Sequence, residues 1–316
     1  MGPYGLMAVI VLLSRFISPD SFDVEWKGEK IASVHRMDYS LQQPGIPLIN
    51  EKKFQKLLDK IDKKVYVAPV NAGLDDSGKI YPEQMGSKLD RRLFMEQFYR
   101  YMYEGGTVKI EAPQRPSYPK VDRELLSVIR EKQIGQYITY FNPRNKNRVQ
   151  NIVLAARAVN NQVLFPGEKF SFNQVVGIRT ESKGYQRAHI IVKGEIADGI
   201  GGGICQISST LFNAVDRAGL QIIERYSHSR HVPYVPPGRD ATVSWGGPDL
   251  VFQNKYNQPI FIRALVYGGQ IQVLIYSSEG VNYKSRGVPS ASEQLPEEIS
   301  LETYNFMKKQ QLKPGG

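Results

Sequence analysis

The sequence predicts an α+β protein: a small N-terminal α+β domain, then a larger α+β domain in which a cysteine-bearing helix packs on an antiparallel sheet. Three observations lead there. Apolar residues recur at helical spacing in separate segments, as in Phe54, Leu57, Leu58 and Ile61. Strand-like runs crowd residues 221–276, and Gly268-Gly269 marks a tight hairpin between the last two. One helix with the cysteine at its start precedes that series, which is an α+β order. With 316 residues and 41% hydrophobic content, the chain has material for one large domain or two ordinary ones.

Residues 1–18 contain the apolar run Met7-Ala8-Val9-Ile10-Val11-Leu12-Leu13. It is shorter than the roughly 20 residues of a spanning helix and fits a signal peptide or clipped membrane anchor; the plain alternative is a buried terminal helix. Residues 19–64 read as an irregular lead-in with room for a short hairpin at 22–31, ending in an amphipathic helix over 51–64 capped by Asn50. Residues 65–133 read as a small domain of strand, turn, strand, helix, strand and helix. Its signals are a strand-like 65–71, the turn Asp75-Asp76-Ser77-Gly78, a helix over 91–103 capped by Asp90, a strand over 107–112, a proline loop and a helix over 121–132.

The larger domain spans 134–280. It opens with a strand at 136–141 and a helix at 145–160 whose apolar side carries Val149, Ile152, Val153, Ala156 and Val159. A short strand at 170–172 follows, then a hairpin turning at Lys193-Gly194. The cysteine helix runs to about Ala218, with Gly219 as its left-handed cap. Strands are expected at 221–225, 241–245, 250–254, 260–267 and 270–276. Residues 281–316 read as a polar tail, poorly packed from 286 onward, with a short helix at 301–309.

The net charge of +10 suits anionic polymers: nucleic acid, membrane lipid or acidic wall polymers. No Arg-rich helix, zinc-finger spacing or aromatic RNA-binding motif is present, so no nucleic-acid partner is expected. Residues 144–240 alone hold 13 Lys or Arg against 7 Asp or Glu. Arg179, Arg187, Arg225, Arg230 and Arg239 are suited to bidentate binding of carboxylates or phosphates, or form an ordinary basic surface. The single cysteine excludes an internal disulfide and does not decide the compartment.

Chemistry concentrates at Gly201-Gly202-Gly203-Ile204-Cys205-Gln206-Ile207-Ser208-Ser209-Thr210-Leu211. A helix start offers unpaired N–H groups and partial positive charge, which favour a thiolate. On a helical wheel Ile207, Leu211, Ala214, Val215 and Ala218 share one face, and Cys205 lies roughly opposite, beside Ser208, Ser209 and Phe212. The cysteine is therefore either a nucleophile or a small packed residue. A nucleophile needs a base and a group to orient it. Of the four histidines, His35 lies outside this domain and His189 sits in a strand-like run; His228 is a better base than its neighbour His231. Asp240 and Asp249 are the candidate orienting carboxylates, and each is equally readable as a turn residue. Cys205, His228 and His231 are too sparse a set for a zinc site, so neither metal nor cofactor is expected. The glycines lack the Gly-Lys-Ser/Thr ending of a phosphate-binding loop.

An ordered series of motifs now resembles the VanW family. It runs from Thr139 to Tyr276 and includes Pro166-Gly167-Glu168-Lys169-Phe170-Ser171-Phe172-Asn173, Val176-Gly177-Ile178-Arg179-Thr180, the glycine–cysteine stretch, His228-Ser229 and Tyr234-Val235-Pro236-Pro237-Gly238-Arg239-Asp240-Ala241-Thr242-Val243. Residues 65–133 resemble, more weakly, a peptidoglycan-binding domain often placed before it. The resemblance implies an extracytoplasmic protein of the Gram-positive cell envelope, membrane-anchored or secreted. Its implied partners are peptidoglycan or another anionic wall polymer, and the membrane through the N-terminus.

Two functions fit. One is a cysteine hydrolase or acyltransferase on wall peptides. Cys205 attacks a carbonyl, His228 is the base and Asp240 or Asp249 orients it; Gly201, Gly202, Gly203, Gln206, Ser208, Ser209, Arg179 and Arg239 surround the ligand. The order cysteine helix, histidine, acid is like that of papain-like and transglutaminase-like enzymes, an analogy of layout only. The other is a non-catalytic wall-binding module in which Cys205 is structural.

Overall fold

The computed structural model describes residues 20–41, 48–192 and 195–295, with the backbone alone over 190–192 and 195–196. The expected signal peptide or anchor in 1–18, the Lys193-Gly194 turn and the helix at 301–309 lie outside the described residues. Among the described residues no helix is long and apolar enough to cross a membrane. Helices and short, mostly antiparallel sheets mix throughout, an α+β protein as expected.

The described residues divide into two compact units that do not fall at 65 and 133: those up to Asn71 join Glu83–Lys120, while Ala72–Pro82 joins the described residues that follow Lys120. In the first unit, Ser21–Trp26 pairs antiparallel with Glu29–Val34 and parallel with Thr107–Glu111. Two helices, Glu51–Val65 and Arg91–Glu104, close the core around Phe22, and Phe54 stacks on Phe98 at 4.5 Å. Asn50 and Asp90 cap them as predicted, accepting from the Lys53 and Leu93 amides. The lead-in expected to be irregular is thus core sheet, because Phe22 and Val24 have an apolar layer to enter. The expected strand at 65–71 makes only isolated bridges, Val67 to Ser87 and Val70 to Gln84. The proline loop instead carries a strand, Gln114–Ser117, paired with Gly86–Leu89.

The second unit is built on a four-stranded antiparallel sheet ordered Lys132–Tyr140, Gln270–Ser277, Ile260–Tyr267, Gln162–Leu164. Side chains alternate across a strand. Ile260, Ile262 and Ala264 face one core, while Phe261 joins Leu126 and Ile129 of the helix Arg123–Ile129 in another. Burial of both faces explains why this strand reads as a continuous apolar run. Residues 73–81 belong here because Asn161 Oδ1 accepts from the Leu74 amide at 3.0 Å and Arg263 Nη1 donates to the Leu74 carbonyl at 2.8 Å.

Helices Lys146–Val159 and Ile204–Arg217 pack on the sheet and on each other. A β-carbon at Gly135 would lie 2.6 Å from the Ala214 carbonyl, so this glycine lets the cysteine helix close on its strand. The strand expected at 241–245 does not form; Ala241 bonds to the cysteine helix, while the Thr242 and Ser244 amides donate to the Tyr226 and Pro248 carbonyls. The first part of the expected polar tail is packed: Val281 and Val288 are buried, and Arg286 Nη1 donates to Asp216 at 2.7 Å. Arg217 Nη2 also donates to the Val288 carbonyl, so charged side chains do the docking that the composition concealed.

Candidate functional site

Gly203 caps the cysteine helix with φ +105°, and Gly201 also has positive φ (+87°), conformations that glycine accepts without strain. Gly202 answers a different need: a β-carbon there would lie 2.6 Å from the backbone of Ala188 and His189. Buried Asn151 fixes the loop, donating to the Gly202 and Gln186 carbonyls and accepting from the Gln186 amide. These glycines, expected to line a ligand site, are thus required by the turn and by its packing on the strand Arg187–Val192. At the helix start, the Ile204 and Gln206 amides return to the Gly201 and Gly203 carbonyls. The Cys205 amide lies in the turn where a helix offers no acceptor.

The helix has two buried faces. Ile207, Leu211, Ala214 and Val215 face the apolar core. The polar face grips the backbone of 239–241: Ser208 donates to the Ala241 carbonyl at 2.5 Å, Ser209 accepts from the Ala241 amide at 2.9 Å, and Asn213 donates to the Arg239 carbonyl at 2.8 Å. Ser208 and Ser209 therefore position the opposite chain. Gln206 is also framework, donating to Thr139 and the Tyr140 carbonyl and accepting from Arg148. Arg239 donates to Asn213 and Asp216 and lies over the Phe212 ring, so its charge is used to hold the loop.

This clamp places Asp240. Its Oδ2 accepts from the His228 amide and meets His228 Nδ1, both at 2.6 Å. Arg225 steadies it by donating to the Asp240 carbonyl at 2.7 Å. With Nδ1 taken by the carboxylate, Nε2 is the ring nitrogen left for another partner, and His228 and the Cys205 thiol lie close enough for each to shift the other's pKa. The thiol also stands 3.8 Å from Thr242 Oγ1 and 3.6 Å from the Val243 carbonyl. His228 sits in a loop, not at a strand start, and the Asp240 bonds supply the rigidity that a strand would.

The electrostatics follow the geometry. Burial alone raises the Cys205 thiol, but His228, the Val243 backbone and the Thr242 hydroxyl together outweigh it, and the pKa falls below its ordinary value. Burial alone lowers His228; the thiolate and Asp240 outweigh that, and its pKa rises. Asp240 is likewise held below the usual carboxylate range, its burial overcome by the two bonds to His228. Each shift favours a thiolate–imidazolium pair braced by a carboxylate.

Asp249 is not part of this group. It accepts from Ser171 Oγ and from the Asn173 and Leu250 amides, fixing the start of the short helix Phe172–Val176. His231 is exposed, and it joins His228 and Asp240 in lining a pocket of about 250 Å³ with Ser229, Arg230 and Pro237. Tyr234 was not singled out from the sequence. Burial pushes its pKa up, keeping it a neutral group near the thiol. Its place in the Tyr234–Val243 motif was the available signal. Arg179 packs against the glycine loop, and its Nη1 and Nη2 are buried with no hydrogen-bond partner among the described residues. Also among the described residues, no three His, Cys, Asp or Glu side chains gather as a metal-ligand set.

Known proteins resemble this chain over most of its length. The family model described as VanW like protein matches residues 147–276, which hold the cysteine, histidine and both aspartates. Uncharacterized protein YoaR of Bacillus subtilis (strain 168) is 55% identical over 298 residues, covering 94% of this chain and 98% of its own length. Vancomycin B-type resistance protein VanW of Enterococcus faecalis (strain ATCC 700802 / V583) is 34% identical over 116 residues, 34% of this chain and 42% of its own length. No solved structure matches the chain.

Proposed function

The chain belongs to the VanW family, and from that premise we propose that it is an extracytoplasmic cell-envelope protein whose second unit is a cysteine-dependent acyl-transfer enzyme on peptidoglycan peptides. The observation that carries the reading is the His228–Asp240 pair set against the Cys205 thiol. Location and substrate rest on the name of the Enterococcus relative, the basic charge of the chain and the apolar run at 7–13.

In the proposed reaction, Cys205 Sγ adds to the carbonyl carbon of a wall-peptide amide, and the Cys205 amide donates to the developing oxyanion. The C–N bond breaks as the His228 imidazolium gives its proton to the leaving amine, forming a thioester. Water or an acceptor amine then attacks, passing its proton to His228 and releasing the Cys205 thiolate. Asp240 keeps the imidazole in the required tautomer and stabilises its charged form, as the acid of a triad does.

The test is to incubate the protein with purified wall peptides and follow intact mass and peptide products. A transient acyl adduct on Cys205 and new peptide products, both abolished in Cys205→Ala, are expected. Equal wall retention by wild type and Cys205→Ala, with neither adduct nor product, would replace the enzyme with the wall-binding module.

A further inference from the structure

We infer that Arg179 is the carboxylate-recognising residue of the Cys205 site, so that the acyl substrate carries a free carboxylate close to its scissile carbonyl. This rests on the reading of Cys205 as a nucleophile. The side chain is held on two sides. A β-carbon at Gly201 would lie 3.6 Å from Arg179 Cβ and Cγ, and the guanidinium sits 5.8 Å from the centroid of Phe172. Its Nη1 and Nη2 have no hydrogen-bond partner among the described residues although they are buried. Native proteins leave few such groups unpaired.

The other arginines around this unit behave differently. Arg217 donates to the Gln136 and Val288 carbonyls, Arg225 to those of Gly238 and Asp240, and Arg263 to those of Leu74 and Asp75. Arg239 is spent on Asn213 and Asp216. The Arg179 fork is left unpaired among the described residues, and its charge interacts with the Cys205 thiol. A guanidinium stays charged when buried and its two parallel N–H donors match a carboxylate. The nearby Asp249 does not fill the fork, since its oxygens accept from Ser171, Asn173 and Leu250. The second anion within reach is the Cys205 thiolate, and the experiment separates the two.

The single cysteine makes the test direct. The full chain is alkylated with iodoacetate, which carries a carboxylate next to its reactive carbon, and with the neutral iodoacetamide. We expect a ratio of iodoacetate to iodoacetamide rates about tenfold or more above that of free cysteine. Arg179→Gln brings the ratio to the free-cysteine value by slowing iodoacetate more than iodoacetamide, and Arg179→Lys lies between. A wild-type ratio equal to that of free cysteine overturns the inference. So does an equal loss of both rates in Arg179→Gln, which would make Arg179 a counter-ion of the thiolate alone. Failure of iodoacetamide on the wild type would instead sink the nucleophile reading, and this inference with it. Should Arg179→Gln not fold, protection of wild type decides: N-acetylglycine slows iodoacetamide and N-acetylglycinamide does not. Equal protection by both contradicts the proposal.

Discussion

Asp240 and Asp249 occupy neighbouring loops, each following a turn rich in proline and glycine, yet the molecule uses them for different ends. Asp249 is surrounded by a hydroxyl and two backbone amides, none of which titrates near neutral pH, and its work is to hold the Phe172–Val176 turn. Asp240 meets a histidine through both backbone and ring, and so couples to the thiol beyond. The difference originates on the cysteine helix. Ser208, Ser209 and Asn213 bind the backbone of 239–241 and thereby choose which carboxylate reaches His228. A carboxylate's role is set by the donors that the fold delivers to it, and those donors lie far away in sequence.

Substitutions sharpen or break this contrast. The largest effect belongs to His228→Ala. An ordinary cysteine is only a few per cent thiolate at neutral pH, so loss of the imidazolium should slow iodoacetamide alkylation of Cys205 by about tenfold or more. An unchanged rate would detach His228 from the thiol. Asp240→Asn comes next: the imidazolium loses its carboxylate but keeps a polar neighbour, and a fall of roughly threefold to tenfold is expected. The smallest change in reactivity is expected from Asp249→Ala, within about twofold of wild type, while stability drops by about 1–3 kcal/mol. That loss would lower the melting temperature by about 2–4 °C per kcal/mol in a domain of this size. If Asp249→Ala slowed alkylation as much as Asp240→Asn, the division of labour between the two loops would be wrong.

The same pairings fix the pH response. Asp240 is depressed, so its stabilising contribution is present above the unfolded value near 4 and disappears as pH falls through the lower folded value. His228 is raised; its contribution is complete below about 6.5 and is lost as pH climbs through the higher folded value. Acid unfolding of Asp240→Asn should therefore start from lower stability and show a shallower pH dependence than wild type.

Much of the second unit was legible. The apolar stripe and the Gly219 cap gave the cysteine helix, and Gly268-Gly269 gave the final hairpin. The matched motif favours His228 over His231, and in the structure His228 bonds Asp240 through its amide and its ring. Residues 241–245 misled because alternation marks extended chain without saying what it bonds to; here Ala241 bonds helix side chains, and Thr242 and Ser244 bond loop carbonyls instead of a strand. The lead-in misled for a related reason: Ser21–Trp26 is a strand only because Thr107–Glu111 returns to pair with it. Choosing between Asp240 and Asp249 also required long-range contacts, which turn signals do not carry.

The central claim is that Cys205 is an activated thiolate, and the pH profile of its iodoacetamide alkylation, read by intact mass, tests it most directly. The account predicts a step below the ordinary value of about 8.5 in the wild type, returning toward that value in His228→Ala. A single wild-type step at about 8.5, or no alkylation of the folded protein, would contradict it.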